Sequence, residues 1–294
     1  MSRAPFPLDR ALVRRRFSAA AKNFDTFSVL HREVARRMNE RLDYIKQKPG
    51  TILDLGCGTG ADLNVLGERY PDARRIACDG SLSMLKKAGE RTAWLRRLLP
   101  VFGASRLSPL CADATALPLA NASTNLVWSN LMLHWLADPL PAFKEMQRVL
   151  QAEGLLMFSS FGPDTLKELR EAFLDAEPHV HRFIDMHDIG DMLVSAGFAE
   201  PVMDMEVITL TYASVDELFR DLRGSGATNA ASGRRQGLMG KTAWKQALAA
   251  LEARRLDGRL PLTFEIVYGH AWKPKPRTTD DGRAIINFDP KNRG

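Results

Sequence analysis

Residues 51–60 read Thr-Ile-Leu-Asp-Leu-Gly-Cys-Gly-Thr-Gly, and this one stretch decides the fold. Ile52, Leu53 and Leu55 make a short apolar run of the kind buried inside a parallel sheet. Gly56, Gly58 and Gly60 end it, where a chain that turns tightly and approaches a ligand closely needs residues without a Cβ. Leu63, Leu66 and Tyr70 then recur at helical spacing, so strand, turn and helix open a βαβ unit. The glycine spacing is G-x-G-x-G, not the G-x-G-x-x-G of dinucleotide folds. Asp54 ends the strand and Asp62 opens the helix, where a pyrophosphate would need positive surroundings. Carboxylates there suit a cationic ligand instead. S-adenosylmethionine, with a sulfonium and an ammonium group, meets that requirement and NAD does not.

Downstream, the same unit repeats. Residues 75–78 form a second apolar strand ending at Asp79, and Ser81 caps a helix carrying Leu82, Leu85 and Ala88. Residues 107–111, 125–129 and 155–161 read as further strands, with Phe143, Met146 and Leu150 marking the helix before the last. Such alternation predicts a doubly wound α/β sheet, mostly parallel, with helices on both faces. Ligands bind such sheets at the carboxyl ends of their strands. Asp79 is placed there to accept from both ribose hydroxyls, and Asp113-Ala114 to meet the adenine amino group. Ser129-Asn130-Leu131 would line the methionine side. Any one of these aspartates, taken alone, is equally a turn or cap residue.

Beyond Phe161 the rhythm changes. Helices over 165–173 and 187–196 precede a strand over 202–212, and helices over 215–222 and 243–254 precede an antiparallel last strand over 262–268. At the front, Phe17, Ala20, Phe24 and Phe27 share one helical face, and Leu30, Val34, Met38, Leu42 and Ile45 form another. The expected organisation is an N-terminal helical lid over 1–48, a catalytic domain over 49–272 with a helical cap inserted at about 213–260, and a flexible tail over 273–294. No apolar run approaches the roughly 20 residues that cross a bilayer, so no membrane insertion is expected. Cys57, Cys78 and Cys111 are too few and scattered for a disulfide framework or a metal site, which points to a reducing cytoplasm. The net charge of +6 gathers in Arg14-Arg15-Arg16, Arg96-Arg97, Arg234-Arg235 and the Lys273, Lys275, Arg277 tail. These favour an anionic partner, or are simply solvated faces.

Residues 54–60 (DLGCGTG), 78–81 (CDGS), 112–119 (ADATALPL) and 125–135 (NLVWSNLMLHW) resemble the successive motifs of class I methyltransferases, with their Rossmann-like sheet. A narrower resemblance spans nearly the whole chain: RRRFSAAAKNFD at 14–25, SNLMLHW at 129–135, FGPDTLKELR at 161–170, HRF at 181–183, GSGATNA at 224–230 and PLTFEIVYGHAW at 261–272. These are similar to the malonyl-acyl-carrier-protein O-methyltransferases of biotin synthesis, the BioC family. The resemblance implies methylation of a free malonyl carboxylate, with S-adenosylmethionine as cofactor and malonyl-acyl carrier protein, not nucleic acid, as partner. Phe24 stands where some relatives carry Tyr.

Such a reaction needs no general base, because a carboxylate is already ionised near pH 7. His134 and Trp135 are candidates to wall the acceptor pocket, against a reading as cap and core. Arg182 and Arg234 are candidates to hold the malonyl carboxylate or the carrier's phosphate, against a reading as exposed arginines. Three other functions remain open at this point. They are methylation of another small acceptor such as a quinone or phenol, a protein arginine hydroxylase of respiratory complex I assembly, and a non-catalytic cofactor-binding scaffold.

Overall fold

The computed structural model describes residues 7–98, 107–173 and 178–276, with only the backbone of 92–98. The side chains of Arg96 and Arg97, and the tail from Arg277 onward, lie outside the described residues. Seven strands form one sheet in the order β3-β2-β1-β4-β5-β7-β6: β1 (Thr51–Leu55), β2 (Arg74–Asp79), β3 (Leu107–Cys111), β4 (Thr124–Ser129), β5 (Leu150–Phe161), β6 (Ala199–Tyr212) and β7 (Leu260–Trp272). β1 to β5 are parallel, and β7 lies antiparallel between β5 and β6. The chain winds outward from β1 through β2 to β3, then crosses back to place β4 on β1's other side. That reversal opens a crevice at the carboxyl ends of β1 and β4.

The strands are apolar on both faces because both are covered. Ile52, Leu126, Leu155 and Met157 face one cluster, with Val34 and Met38 from α2 (Val29–Arg41). Leu53, Val127, Leu156 and Phe158 face the other, with Phe143, Met146 and Val149 from α5 (Leu140–Val149) and Ile189 and Leu193 from α7 (Met186–Ser195). Successive residues of one strand thus enter opposite layers, the period of two that a pleated strand imposes. α3 (Ala61–Arg69) and α4 (Leu82–Leu98) follow β1 and β2. Leu150, expected on the helix before β5, instead begins that strand.

The segment between β6 and β7 carries α8 (Val215–Gly224) and α9 (Lys241–Glu252); α9 packs on α6 (Lys167–Ala172). Ser214 caps α8 by accepting from the Glu217 amide at 3.2 Å, and the Tyr212 hydroxyl donates to Asp221 at 2.7 Å. At the other end of the chain, α1 (Arg10–Ala20) begins at Asp9, whose carboxylate accepts from the Leu12 amide at 2.9 Å. The aromatic face expected to continue through Phe27 is broken after Ala20, and Phe24–Thr26 forms a separate 3-10 turn. The two rings have different destinations: Phe24 reaches the glycine loop at Gly58, whereas Phe27 packs against Gly224 of α8. One straight helix would not deliver both.

Candidate active site

At the carboxyl ends of β1 to β4, beneath α1, lies a cavity of about 560 Å³. Gly56, Gly58, Asp79, Asp113, Ala114 and Asn130 all line it. The turn after β1 is held by the Gly56 and Cys57 amides, which both donate to the Cys78 carbonyl at 2.8 and 3.0 Å. Gly56 (φ 80°) and Gly60 (φ 77°) occupy the left-handed region. A Cβ on Gly56 would also overlap the Met132 side chain, and one on Gly60 would lie 2.9 Å from the Ala88 methyl. Gly60 packs α3 against α4 and does not face the cavity.

Asp79 is fixed from two sides: one carboxylate oxygen accepts from the Gly58 amide at 3.0 Å, the other from the Ser81 amide at 2.7 Å. Burial raises its pKa, opposed by those two amides. Asp54 lies behind the cavity wall, 1% exposed, and its Oδ2 has no hydrogen-bond partner. Burial pushes this carboxyl well above the ordinary range, and the nearby Asp62 and Asp79 charges push it further. Asp62 accepts from the Trp128 indole at 2.8 Å and from the Asn130 amide at 3.1 Å; burial raises it as well. Asn130 also accepts from the Ser159 hydroxyl at 2.8 Å, so its orientation is set. Asp113 accepts from the Thr115 amide at 2.9 Å and pairs with Arg10 of α1.

A second cavity of about 240 Å³ adjoins the first, and Phe17, His31 and Trp135 line both. His134 and Trp135 sit on the 3-10 turn that follows β4. The His134 ring stacks on Phe161 at 4.2 Å, and Trp135 meets Phe17 edge-on at 5.0 Å and His181 at 4.9 Å. Among the described residues four histidines, His31, His134, His179 and His181, line this chamber, and three of them, His31, His134 and His181, are held neutral at physiological pH. Burial lowers His31 and His181 to about 4, with Arg32 and Arg16 adding to the effect respectively. His134 lies well below its usual value through burial, then through His181 and His31. Among the described residues one arginine lines the chamber: Arg223, whose guanidinium stands 5.6 Å from the Phe219 ring centre.

The two arginines proposed from sequence as carboxylate clamps are not brought to either cavity. Arg182 is exposed and lines a third groove with Asp185, Asp188 and Asp191, which shares His134 and Phe183 with the chamber. Its neighbours His181 and Phe183 are buried and line the chamber, whereas Arg182 between them is exposed. Arg234 donates to the Ala231 carbonyl at 3.0 Å and stands 3.6 Å from Asp9, tying its loop to the N-terminal segment. His31, His181 and Arg223 were missed as lining residues. His31 stands beside Leu30 of the α2 stripe, and His181 beside the arginine that drew attention; neither position carries a spacing signal.

Residues 53–158 match the model of the methyltransferase domain family. Over nearly its whole length the chain is similar to curated malonyl-[acyl-carrier protein] O-methyltransferases. That of Gallionella capsiferriformans is 54% identical, covering 96% of this chain and 97% of its own. The chain belongs to that family. The Laribacter hongkongensis member is 50% identical, with 97% of each chain covered. Among solved structures, a Bacillus halodurans C-125 protein described as a methyltransferase superposes with a TM-score of 0.55 at 17% identity, covering 81% of this chain and 99% of its own. At that identity the likeness speaks for the class I fold alone.

Proposed function

We propose that this chain transfers the methyl group of S-adenosylmethionine to the free carboxylate of malonyl-acyl carrier protein, giving the methyl ester that starts pimeloyl and biotin synthesis. The observation that carries this reading is the pair of cavities meeting at Phe17, His31 and Trp135, one walled by carboxylates and glycines, the other by aromatic rings. Asp79 and Asp113 line the first cavity and the Asp54 and Asp62 carboxyls stand behind its wall, an acidic setting that suits a ligand carrying positive charge. Asp79 would take the ribose hydroxyls, Asp113 and Ala114 the adenine edge, and Gly56, Gly58 and Asn130 the methionine portion, with Asp54 and Gly60 supporting the loop from behind. When bound, S-adenosylmethionine supplies a methyl group on a positively charged sulfur.

No residue has to remove a proton, since the acceptor is ionised at neutral pH. The protein's work is alignment and exclusion of water. Phe17 and Trp135 form the border across which donor and acceptor face each other, and His134 and Phe161 form the chamber's stacked wall. Residues 7–48 act as a lid: Arg10 pairs with Asp113, Ser18 bonds Ser81 at 2.8 Å, and Asp25 accepts from Thr59 at 2.5 Å. Residues 213–260 act as the cap over the acceptor. Arg14 and Arg15, exposed on α1, offer an acidic carrier its landing point. The three free cysteines suit work in a reducing cytoplasm. Purified protein incubated with methyl-labelled cofactor should label malonyl-acyl carrier protein and leave the acetyl form, which has no free carboxylate, unlabelled. Label on a phenolic acceptor and none on the malonyl carrier would defeat the reading.

A further inference from the structure

The chamber poses a chemical difficulty. An anionic acceptor entering a dry aromatic pocket needs partners, yet neither Arg182 nor Arg234 lines it: Arg182 faces the adjoining groove and Arg234 ties its own loop. Arg223, the guanidinium that does line it, stands by the Phe219 ring on α8, with Asp221 also in the wall. Two lining groups, by contrast, lack partners. His134 is 8% exposed, and its Nδ1 makes no hydrogen bond; the Nδ1 of His31 is likewise buried without one. Buried polar groups in proteins are almost always hydrogen-bonded, so two orphans in one cavity wall mark a place where a ligand completes the set. His181 differs, because its Nε2 already accepts from the Ala230 amide at 2.5 Å.

We infer that His134, with His31 beside it, is the group that holds the malonyl carboxylate by donating hydrogen bonds from neutral imidazole. This rests on the malonyl-carrier reading above. A neutral donor suits the reaction better than a cation would. The attacking carboxylate is negative and the methyl donor positive, and both charges vanish as the oxygen–methyl bond forms and the sulfur–methyl bond breaks. A guanidinium at the carboxylate would stabilise the charged reactants more than the neutralising transition state, raising the barrier. An imidazole N–H orients the oxygen with less of that penalty. Burial, with His181 and His31 beside it, keeps the ring uncharged, and stacking on Phe161 fixes its plane.

The test is a kinetic split on the intact chain with malonyl-acyl carrier protein. His134→Phe keeps a ring to stack but removes the donor; KM for the carrier should rise about tenfold or more, the loss of one hydrogen bond to a charged group. Cofactor affinity should not change. His134→Gln restores an N–H donor and should return KM to within about threefold of the starting protein, an outcome that a purely structural role does not produce. Wild-type KM in a folded His134→Phe protein overturns the inference, as does a Gln variant as impaired as the Phe variant, or a KM defect found only in Arg223→Met. If the unmodified chain does not methylate the malonyl carrier at all, the underlying reading fails and takes this one with it.

Discussion

The two cavities are built in opposite ways. The cofactor-side cavity takes its floor from short stretches after successive strands, and its polar groups are backbone amides and carboxylates already locked to one another, as Asp79 is to Gly58 and Ser81. The acceptor-side chamber draws its side chains from many separate places: α1, α2, the turn after β4, the end of β5, α6, the 178–183 segment, β6, α8 and the loop after it, and β7. One holds negative charge that burial makes uncomfortable; the other holds imidazoles that burial keeps neutral. The contrast teaches where each kind of specificity resides. A cation is met by acids placed through backbone geometry, which any member of the fold can share. A desolvated anion is met by side chains that only the complete tertiary structure assembles.

The sharpest break of this contrast is Asp79→Ala. Losing the two ribose contacts proposed for this carboxylate, at about 1.5–3 kcal/mol for each hydrogen bond to a charged group, should weaken cofactor binding at least about a hundredfold by calorimetry. Acceptor recognition should be untouched, and an equal loss on both sides would show that the cavities are not separable.

An intermediate effect belongs to the border. Trp135→Leu removes a ring that lines both cavities and should raise cofactor Kd and carrier KM together, each by about three- to tenfold. A change confined to one side would move the border elsewhere.

Acid should expose the opposite electrostatics of the two regions. An unfolded imidazole takes its proton near pH 6.5, whereas folded His31 and His181 do so only near 4. Between those values the unfolded chain holds more protons, so stability falls as pH drops from about 6.5 and the loss is complete below about 4, on the order of 3 kcal/mol for each ring. Asp54, raised rather than lowered, works against this trend. The fall in melting temperature between pH 7.5 and 5 should therefore be smaller in His31→Gln than in the unmodified protein. The smallest effect is ionic: raising salt from 50 to 300 mM should increase carrier KM by about two- to fourfold, with cofactor affinity nearly constant. A salt-independent KM would remove Arg14 and Arg15 from the docking account.

Much of the first region was legible in the sequence because its information is local. A strand end, a turn and a helix start sit within ten residues, so Gly56, Gly58, Asp79 and Asp113 could be placed at one edge of the sheet before any contact was known. The direction of Arg182 could not be read this way. Residues 178–183 form no regular element, and the parity that turns His181 and Phe183 inward is set by packing against Trp135 and Phe161. Asp54 was legible as an acid at the right place, but not as one enclosed behind the wall. The break between Phe17 and Phe24 was hidden for a related reason: four aromatic and small residues at helical spacing fit a single helix until Gly58 and Gly224, far apart in sequence, claim different rings.

The position of β7 has a consequence for how the molecule is made. β6 is joined to the sheet only through β7, which pairs with β5 on one side from Leu155↔Trp272 to Phe161↔Ile266, and with β6 on the other from Ala199↔Trp272 to Tyr212↔Leu260. During synthesis β6 therefore has no strand to pair with until residues 260–272 have left the ribosome, and β5 presents a bare edge for the same interval. Phe264, at the back of the acceptor chamber, arrives with that last strand. The cofactor half can condense from residues already made, whereas the acceptor half is closed only by β7, made after the other six strands of the sheet. A nascent chain stalled before residue 260 would thus hold the glycine turn and its acids without the chamber, and an exposed β5 edge open to aggregation.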